Sequence, residues 1–153
     1  MKYLILLFSL LPFYISADCQ LREDRYVSAN EEDLDRADEL YTQIEGKHPS
    51  FNSFFDEETF FYVGKANEGI EVAFIFTTWS NKCIPTSSIL FFNDGKLTNM
   101  YSGAGFYGHV EISGNIVKIF SENSIVSSID LTKPLPRKLK FEYIQLERSD
   151  FGS

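Results

Sequence analysis

Residues 70–79 read IEVAFIFTTW, a run that carries apolar side chains on both faces of a β-strand. Successive side chains of a strand point to opposite sides. The two faces are Val72, Phe74 and Phe76 on one side and Ala73, Ile75 and Trp79 on the other. Strands that are apolar on both faces are typically buried on both faces. The run therefore predicts a central strand with one layer of structure above it and another below.

Around this run, apolar side chains recur at every second position, which is the period of a β-strand. Asp94-Gly95 and Gly114-Asn115 are typical of tight hairpin turns. We expect seven or eight strands in an antiparallel meander, curled or closed into a small barrel so that few edges stay exposed. The predicted segments are 59–63, 70–79, 88–93, 96–101, 110–112, 116–121, 125–131 and a last strand from 139 with a bulge near Tyr143.

The chain before the strands has the period of an α-helix. Ser28 and Glu31 are spaced as in a capping box, and Gly46 and Pro49 are typical of a helix end. The apolar positions at helical spacing are Leu34, Ala37, Leu40, Tyr41 and Ile44. We therefore predict one amphipathic helix over about 30–45, packed on the sheet, and a fold that is mainly β (α+β).

Residues 1–17 have the features of a secretory signal peptide. Lys2 supplies a positive charge, an apolar run follows, and Ala17 ends a small-residue cleavage site. The run is too short for a transmembrane helix, which needs about 20 apolar residues. We expect residues 18–153 to form one β-rich domain, exported to a periplasm or to the extracellular space and soluble there.

The only two cysteines are Cys19 and Cys83. In an exported chain, the simplest interpretation is one disulfide bond between them. The alternative is a pair of free thiols, one of which acts as a nucleophile.

Negative charge is concentrated before the strands. Residues 18–58 hold 13 acidic and 4 basic side chains, whereas residues 59–153 hold 9 of each. This balance disfavours binding to nucleic acid or to an anionic membrane and permits a basic protein partner. Asp35, Asp38 and Glu39 lie away from the apolar stripe of the predicted helix, so we take them as candidate partner-binding residues. Solubility alone is the other interpretation of this charge.

Phe54 and Phe55 form a second candidate contact site. They lie in a dense aromatic stretch, outside any predicted strand and just before an acidic run. Core packing is the ordinary role of such residues. An exposed pair here would mark a binding patch.

The sequence favours neither catalysis nor a cofactor. Residues 103–108, GAGFYG, match the letters of a dinucleotide fingerprint, but that motif must open a helix, and here a strand follows. We expect a glycine-rich bend instead. His48 and His109 are the only histidines, too few for a zinc site once the cysteines are bonded. We predict no catalytic residue, no metal site and no cofactor.

Three functions remain open. The first is a non-enzymatic protein-binding inhibitor or immunity-type factor that uses the acidic segment. The second is a calycin-like barrel that binds a small apolar ligand among its aromatic side chains, which requires an open cavity. The third is a hydrolase, which requires His109 in a cleft beside an acid and a nucleophile.

The disulfide gives the first testable prediction. Alkylation of the exported protein before reduction should leave both cysteines unmodified, and alkylation after reduction should modify both, as mass spectrometry can show. The bond should stabilise the fold by about 4 kcal/mol on the chain-entropy model. Complete alkylation of Cys19 and Cys83 without reduction would disprove it.

Overall fold

The computed structural model describes residues 31–44, 58–79, 84–104, 106, 108–121, 124–141 and 143–151. The predicted signal peptide, the disulfide between Cys19 and Cys83, and the candidate patch of Phe54 and Phe55 lie outside the described residues, so they stay predictions.

The described chain is one helix followed by nine strands. The elements are α1 (Glu31–Ile44), β1 (Glu58–Lys65), β2 (Glu71–Trp79), β3 (Ile84–Asn93), β4 (Lys96–Ala104), β5 (Gly108–Ser113), β6 (Ile116–Ser121), β7 (Ser124–Asp130), β8 (Lys138–Phe141) and β9 (Ile144–Asp150). The helix predicted over about 30–45 is therefore confirmed to within one residue at each end.

The strands form two antiparallel sheets. One has six strands in the order β1-β2-β3-β4-β9-β8, and the other has three in the order β5-β6-β7. The mainly β fold with one helix is confirmed. Within the described residues the sheets do not join into a closed barrel, because no hydrogen-bonded ladder links β1 to β5 or β7 to β8.

The last predicted strand is two strands. We expected a single strand from residue 139 with a bulge near Tyr143, and this prediction is wrong. Phe141 pairs with Ile144, so the chain reverses between them and forms the β8–β9 hairpin. Phe141 and Ile144 are both buried because they face each other across the ladder. A tight reversal therefore shifts the alternation of apolar and polar positions along the sequence in the same way as a bulge.

The inner faces of the two sheets pack against each other. Val72 and Phe74 of β2 lie in one apolar cluster with residues from seven other strands. The buried members of this cluster are Ala66, Val72, Phe74, Ile89, Phe91, Tyr101, Phe106, Val110, Val117, Ile119, Ile129, Leu131, Leu139, Phe141, Ile144 and Leu146. This arrangement supplies the layer that the sequence predicted on one side of β2.

Helix α1 covers the opposite face of the six-stranded sheet. Leu40 and Ile44 of α1 pack on Ala73 and Ile75 of β2 and on buried residues of β3 and β4. From Glu71 as far as Ile75, the central strand is therefore covered on both sides, as its sequence predicted. The described molecule has three layers: the helix, the six-stranded sheet and the three-stranded sheet.

The glycine-rich stretch after β4 is a bend between the two sheets. β4 ends at Ala104 and a strand, not a helix, begins at Gly108. A Cβ atom at Gly103 would lie 2.7 Å from the Gln145 carbonyl oxygen, and one at Gly108 would overlap the Phe120 carbonyl oxygen. Both positions therefore need glycine because neighbouring strands approach so closely. A strand follows this stretch, as expected, whereas residues 105 and 107 within it lie outside the described residues.

Phe106, within this bend, should be a key core residue. It is fully buried and packs edge-to-face on Phe74 and Phe141, with ring centroids 6.1 and 5.4 Å apart. Phe106→Ala should lower the free energy of unfolding by about 3–5 kcal/mol through lost burial and the cavity left behind. Tyr143→Ala is the control, because Tyr143 is 88% exposed and its loss should cost less than about 0.5 kcal/mol. Urea denaturation can compare them, and equal losses would contradict the packing.

Candidate functional site

A groove runs between α1 and the turn that joins β3 to β4. Its volume is about 730 Å³, and it is open to solvent. The lining residues are Asp35, Arg36, Asp38, Glu39, Leu40, Thr42, Gln43, Asp94, Gly95 and Lys96. All three helix acids that the sequence selected therefore lie on this groove, and the turn adds a fourth acid.

The turn side of the groove is fixed by its local sequence. Asp94 and Gly95 both have positive φ, 48° and 73°. A two-residue turn of this kind matches the twist of a hairpin, and Asp-Gly is one of its favoured sequences. A Cβ atom at Gly95 would lie only 3.9 Å from the Arg36 guanidinium, so the turn comes close to the helix. The short hairpin thus brings Asp94 beside the acids of α1.

The helix side of the groove is fixed by an ion pair with the sheet. Arg36 Nε donates to Glu71 Oε1 at 2.7 Å, and Arg36 Nη2 donates to Glu71 Oε2 at 2.6 Å. Glu71 opens β2 and is only 4% exposed, beneath the helix. The Tyr62 hydroxyl adds a longer contact to Glu71 Oε1, at 3.4 Å. This forked pair satisfies a buried carboxylate and sets the position of α1 over the sheet.

All three groups at this contact have shifted pKa values. Hydrogen bonds from Arg36 lower the pKa of Glu71, and they outweigh the opposing effect of burial. Hydrogen bonds to Glu71 and Glu39 raise the pKa of Arg36. Burial raises the pKa of Tyr62 to about 12, and the neighbouring Glu71 carboxylate adds to this rise. Near neutral pH the pair is therefore charged and Tyr62 is a neutral donor.

The acids of the groove differ in whether they form an ion pair. Glu39 is paired with Arg36 Nη1, three residues earlier on the helix. Asp35 and Asp38 are exposed and form no ion pair with any described residue. Glu71 and Glu39 already neutralise Arg36. Among the described residues that line the groove, Lys96 is then the one base left to offset the negative charge of Asp35, Asp38 and Asp94.

Leu34 departs from the helix pattern predicted from the sequence. Ala37, Leu40 and Ile44 are buried as expected, whereas Leu34 is 56% exposed. Periodicity places Leu34 on the apolar stripe but does not reveal that the described part of the sheet leaves it uncovered.

His109, the histidine required by the hydrolase hypothesis, lies on β5, away from the groove. Its ring stacks on Phe120 with centroids 4.5 Å apart, and its Nε2 atom is 3.2 Å from Glu111 Oε1. Its cross-strand partner is Phe120, so the outward face here is partly aromatic. His109 therefore has an acid beside it and an aromatic ring stacked against it.

The described residues contain neither a cluster of metal-ligating side chains nor a membrane-spanning helix. No described set of three or more histidine, cysteine, aspartate or glutamate side chains is arranged to hold a metal ion. In the same residues, no helix has the length and apolarity needed to cross a membrane.

The chain has no match among protein-family models, curated proteins or solved structures. The interpretation of the groove therefore rests on its own geometry and charge.

Sequence reasoning found the helix acids but missed their neighbours. Asp94, Gly95 and Lys96 were identified only as a hairpin turn, and Glu71 only as the start of a strand. Their proximity to Arg36 depends on how the helix lies on the sheet. The one available signal was a glutamate at the head of a strand whose next five residues are all apolar.

Glu71→Gln tests the ion pair. The change should lower the free energy of unfolding by about 1–3 kcal/mol at pH 7, because a buried charge-assisted fork is lost while Arg36 stays partly solvated. The folded-state pKa of Glu71 is lowered, so its contribution is complete above the ordinary value of 4.5 and is lost as pH falls through the lowered value. The wild-type protein should therefore lose more stability than the variant between pH 6 and pH 3.

Glu68→Gln is the matched control, because Glu68 is exposed and bonds only weakly to Asn115, at 3.4 Å. It should leave both the stability at pH 7 and its pH dependence nearly unchanged. Parallel curves of unfolding free energy against pH for wild type and Glu71→Gln would show that the pair does not hold the helix.

Proposed function

We propose that this protein is an exported, non-catalytic binding protein, an inhibitor or immunity-type factor, that recognises a basic protein through the groove between α1 and the β3–β4 turn. The observation that carries this proposal is the convergence of Asp35, Asp38 and Glu39 with Asp94 on one open groove. Two of these acids, Asp35 and Asp38, are exposed and have no described cation bound to them.

The form of the groove supports contact with a protein surface. It is open and lined mostly by polar side chains, whereas small-molecule sites are usually enclosed and largely apolar. Exposed acids are suited to speeding encounter with a basic partner, since complementary charge raises association rates more than it raises final affinity. A lysine or arginine side chain of the partner that enters the groove would meet carboxylates from the helix and from the turn.

The rigidity of the two walls also supports recognition. The turn is held by a tight hairpin, and the helix is held by the Arg36–Glu71 fork. Groups that are already in place before binding lose less conformational entropy when the partner arrives. The acids are thus presented on fixed elements rather than on long loops.

The apolar-ligand alternative has less support from the described core. Phe74, Phe91, Tyr101 and Phe106 are fully buried and fill the space between the two sheets. Phe91 and Tyr101 pack edge-to-face with centroids 5.9 Å apart, and Phe106 bridges Phe74 and Phe141. A ligand of ordinary size would have to displace some of these rings.

Removing the helix charges should slow association with the basic partner. The variant carries Asp35→Asn, Asp38→Asn and Glu39→Gln. It should unfold within about 1 kcal/mol of wild type, because exposed charges contribute little to stability. A basic protein retained by the immobilised wild-type protein from envelope or extracellular fluid should bind the variant about tenfold more slowly at low salt, with a shallower salt dependence. Stopped-flow or surface-binding kinetics across ionic strength can measure both.

The control carries Glu68→Gln, Glu111→Gln and Glu147→Gln, which remove the same net charge from exposed positions outside the groove. It should keep most of the wild-type rate. If both triple variants slow association equally, overall charge is responsible and the groove is not the site. If neither does, the acids serve solvation only.

A further inference from the structure

The tip of the β3–β4 hairpin places a carboxyl group next to an unshielded backbone nitrogen. Of all the aspartates and asparagines in the chain, Asp94 is the one that is followed directly by glycine. Asp94 is exposed, and Gly95 is half-buried. Because glycine has no Cβ atom, no side chain stands beside its amide nitrogen. The side-chain carboxyl of Asp94 can therefore approach the Gly95 nitrogen more closely than any other aspartate approaches the residue after it.

The fold leaves this nitrogen out of the hydrogen bonding of the turn. Asn93 pairs with Lys96 across the turn. The hydrogen bond of a tight turn joins its first and fourth residues, so the amide of Gly95 takes no part in it. Asp130 is a contrast, because the amide of the next residue, Leu131, donates to the Asn115 carbonyl oxygen at 2.9 Å. Attack on the Asp130 carboxyl would first require that bond to break.

We propose that Asp94 is a site of spontaneous covalent modification, at which aspartate converts to isoaspartate without an enzyme. The Gly95 nitrogen attacks Cγ of the protonated Asp94 carboxyl, and the new C–N bond closes a five-membered succinimide ring. The proton of the nitrogen and the hydroxyl group of the carboxyl leave together as water. A second water molecule opens the ring at either carbonyl carbon. One opening returns aspartate, and the other gives isoaspartate.

Isoaspartate at this position changes one wall of the groove. The main chain then runs through Cβ and Cγ, so the turn is one carbon atom longer, and the free carboxylate is attached to Cα. The φ values of 48° at Asp94 and 73° at Gly95 define a turn that fits two residues of ordinary length. The carboxylate opposite the acids of α1 is therefore displaced while the net charge stays the same. The effect on binding rests on the proposed function, whereas the chemical conversion does not.

Incubation in oxygen-18 water measures the reaction directly, because each ring opening adds one solvent oxygen to residue 94. The purified protein is kept warm at neutral pH for several weeks and then digested in ordinary water. Mass spectrometry should find about tenfold more label at Asp94 than at Asp130, where a side chain and a hydrogen bond shield the next nitrogen. Electron-transfer fragmentation of the same peptide should show a share of isoaspartate that grows with time.

Two variants change the reaction while keeping residues that suit the turn. Asp94→Asn closes the same ring with loss of ammonia, which leaves more readily than water, so this variant should convert faster than wild type. Gly95→Asn introduces a residue that tolerates positive φ. Its Cβ atom would meet nothing closer than Arg36 Nη2, at 3.9 Å, so the turn has room for it. The added side chain shields the nitrogen, and this variant should gain little label.

A synthetic peptide of residues 90–99 is the reference for the unfolded chain. The proposal is overturned if the folded protein gains no label at Asp94, whether or not the peptide does, since the fold then protects the turn. It is also overturned if Gly95→Asn gains label as fast as wild type. Isoaspartate that forms without any change in partner binding would contradict the groove as the binding site and leave the modification standing.

Discussion

The fold follows from the need to bury both faces of β2. Val72 and Phe74 require an apolar layer on one side, and Ala73 and Ile75 require another. Burial of apolar area is the main favourable contribution to folding, so a strand of this kind is stable only between two layers. The three-stranded sheet provides one layer and α1 provides the other. The position of the helix, and with it the position of the three helix acids on the groove, follows from the burial of both faces of β2.

One polar contact makes the helix layer specific. Apolar packing is not directional, so Leu40 and Ile44 alone would tolerate several positions of α1 on the sheet. The Arg36–Glu71 fork removes that freedom, because a buried carboxylate without its partner would be strongly unfavourable. The same contact neutralises the one arginine of the helix. The four acids on the groove outnumber its two bases, and the pairing of Arg36 with Glu71 makes this balance more negative.

The two seams between the sheets, β1 beside β5 and β7 beside β8, show how two sheets can share a core without closing into a barrel. At one seam Gly64 lets β5 approach β1. At the other, residues 131–137 are held to the six-stranded sheet by the side chains of Tyr101 and Arg148. Neither seam has the repeated hydrogen bonds of a ladder within the described residues. Local stability should therefore vary across the molecule, with β2 and β3 the most protected strands. The groove lies on the helix layer, on the face of the six-stranded sheet opposite the core that the two sheets share.

The sequence alone determined α1, most of the strand positions, the Asp94-Gly95 turn and the bend before Gly108, because each of these depends on neighbours within a few residues. It failed at the β8–β9 hairpin, since a reversal between Phe141 and Ile144 leaves the same phase shift as a bulge. Only the tertiary structure decided which distant residues meet. Glu71 lies 35 residues from Arg36 along the chain, and Pro136 lies 35 residues from Tyr101. Such contacts depend on how the layers pack, and no local pattern of side chains specifies that packing.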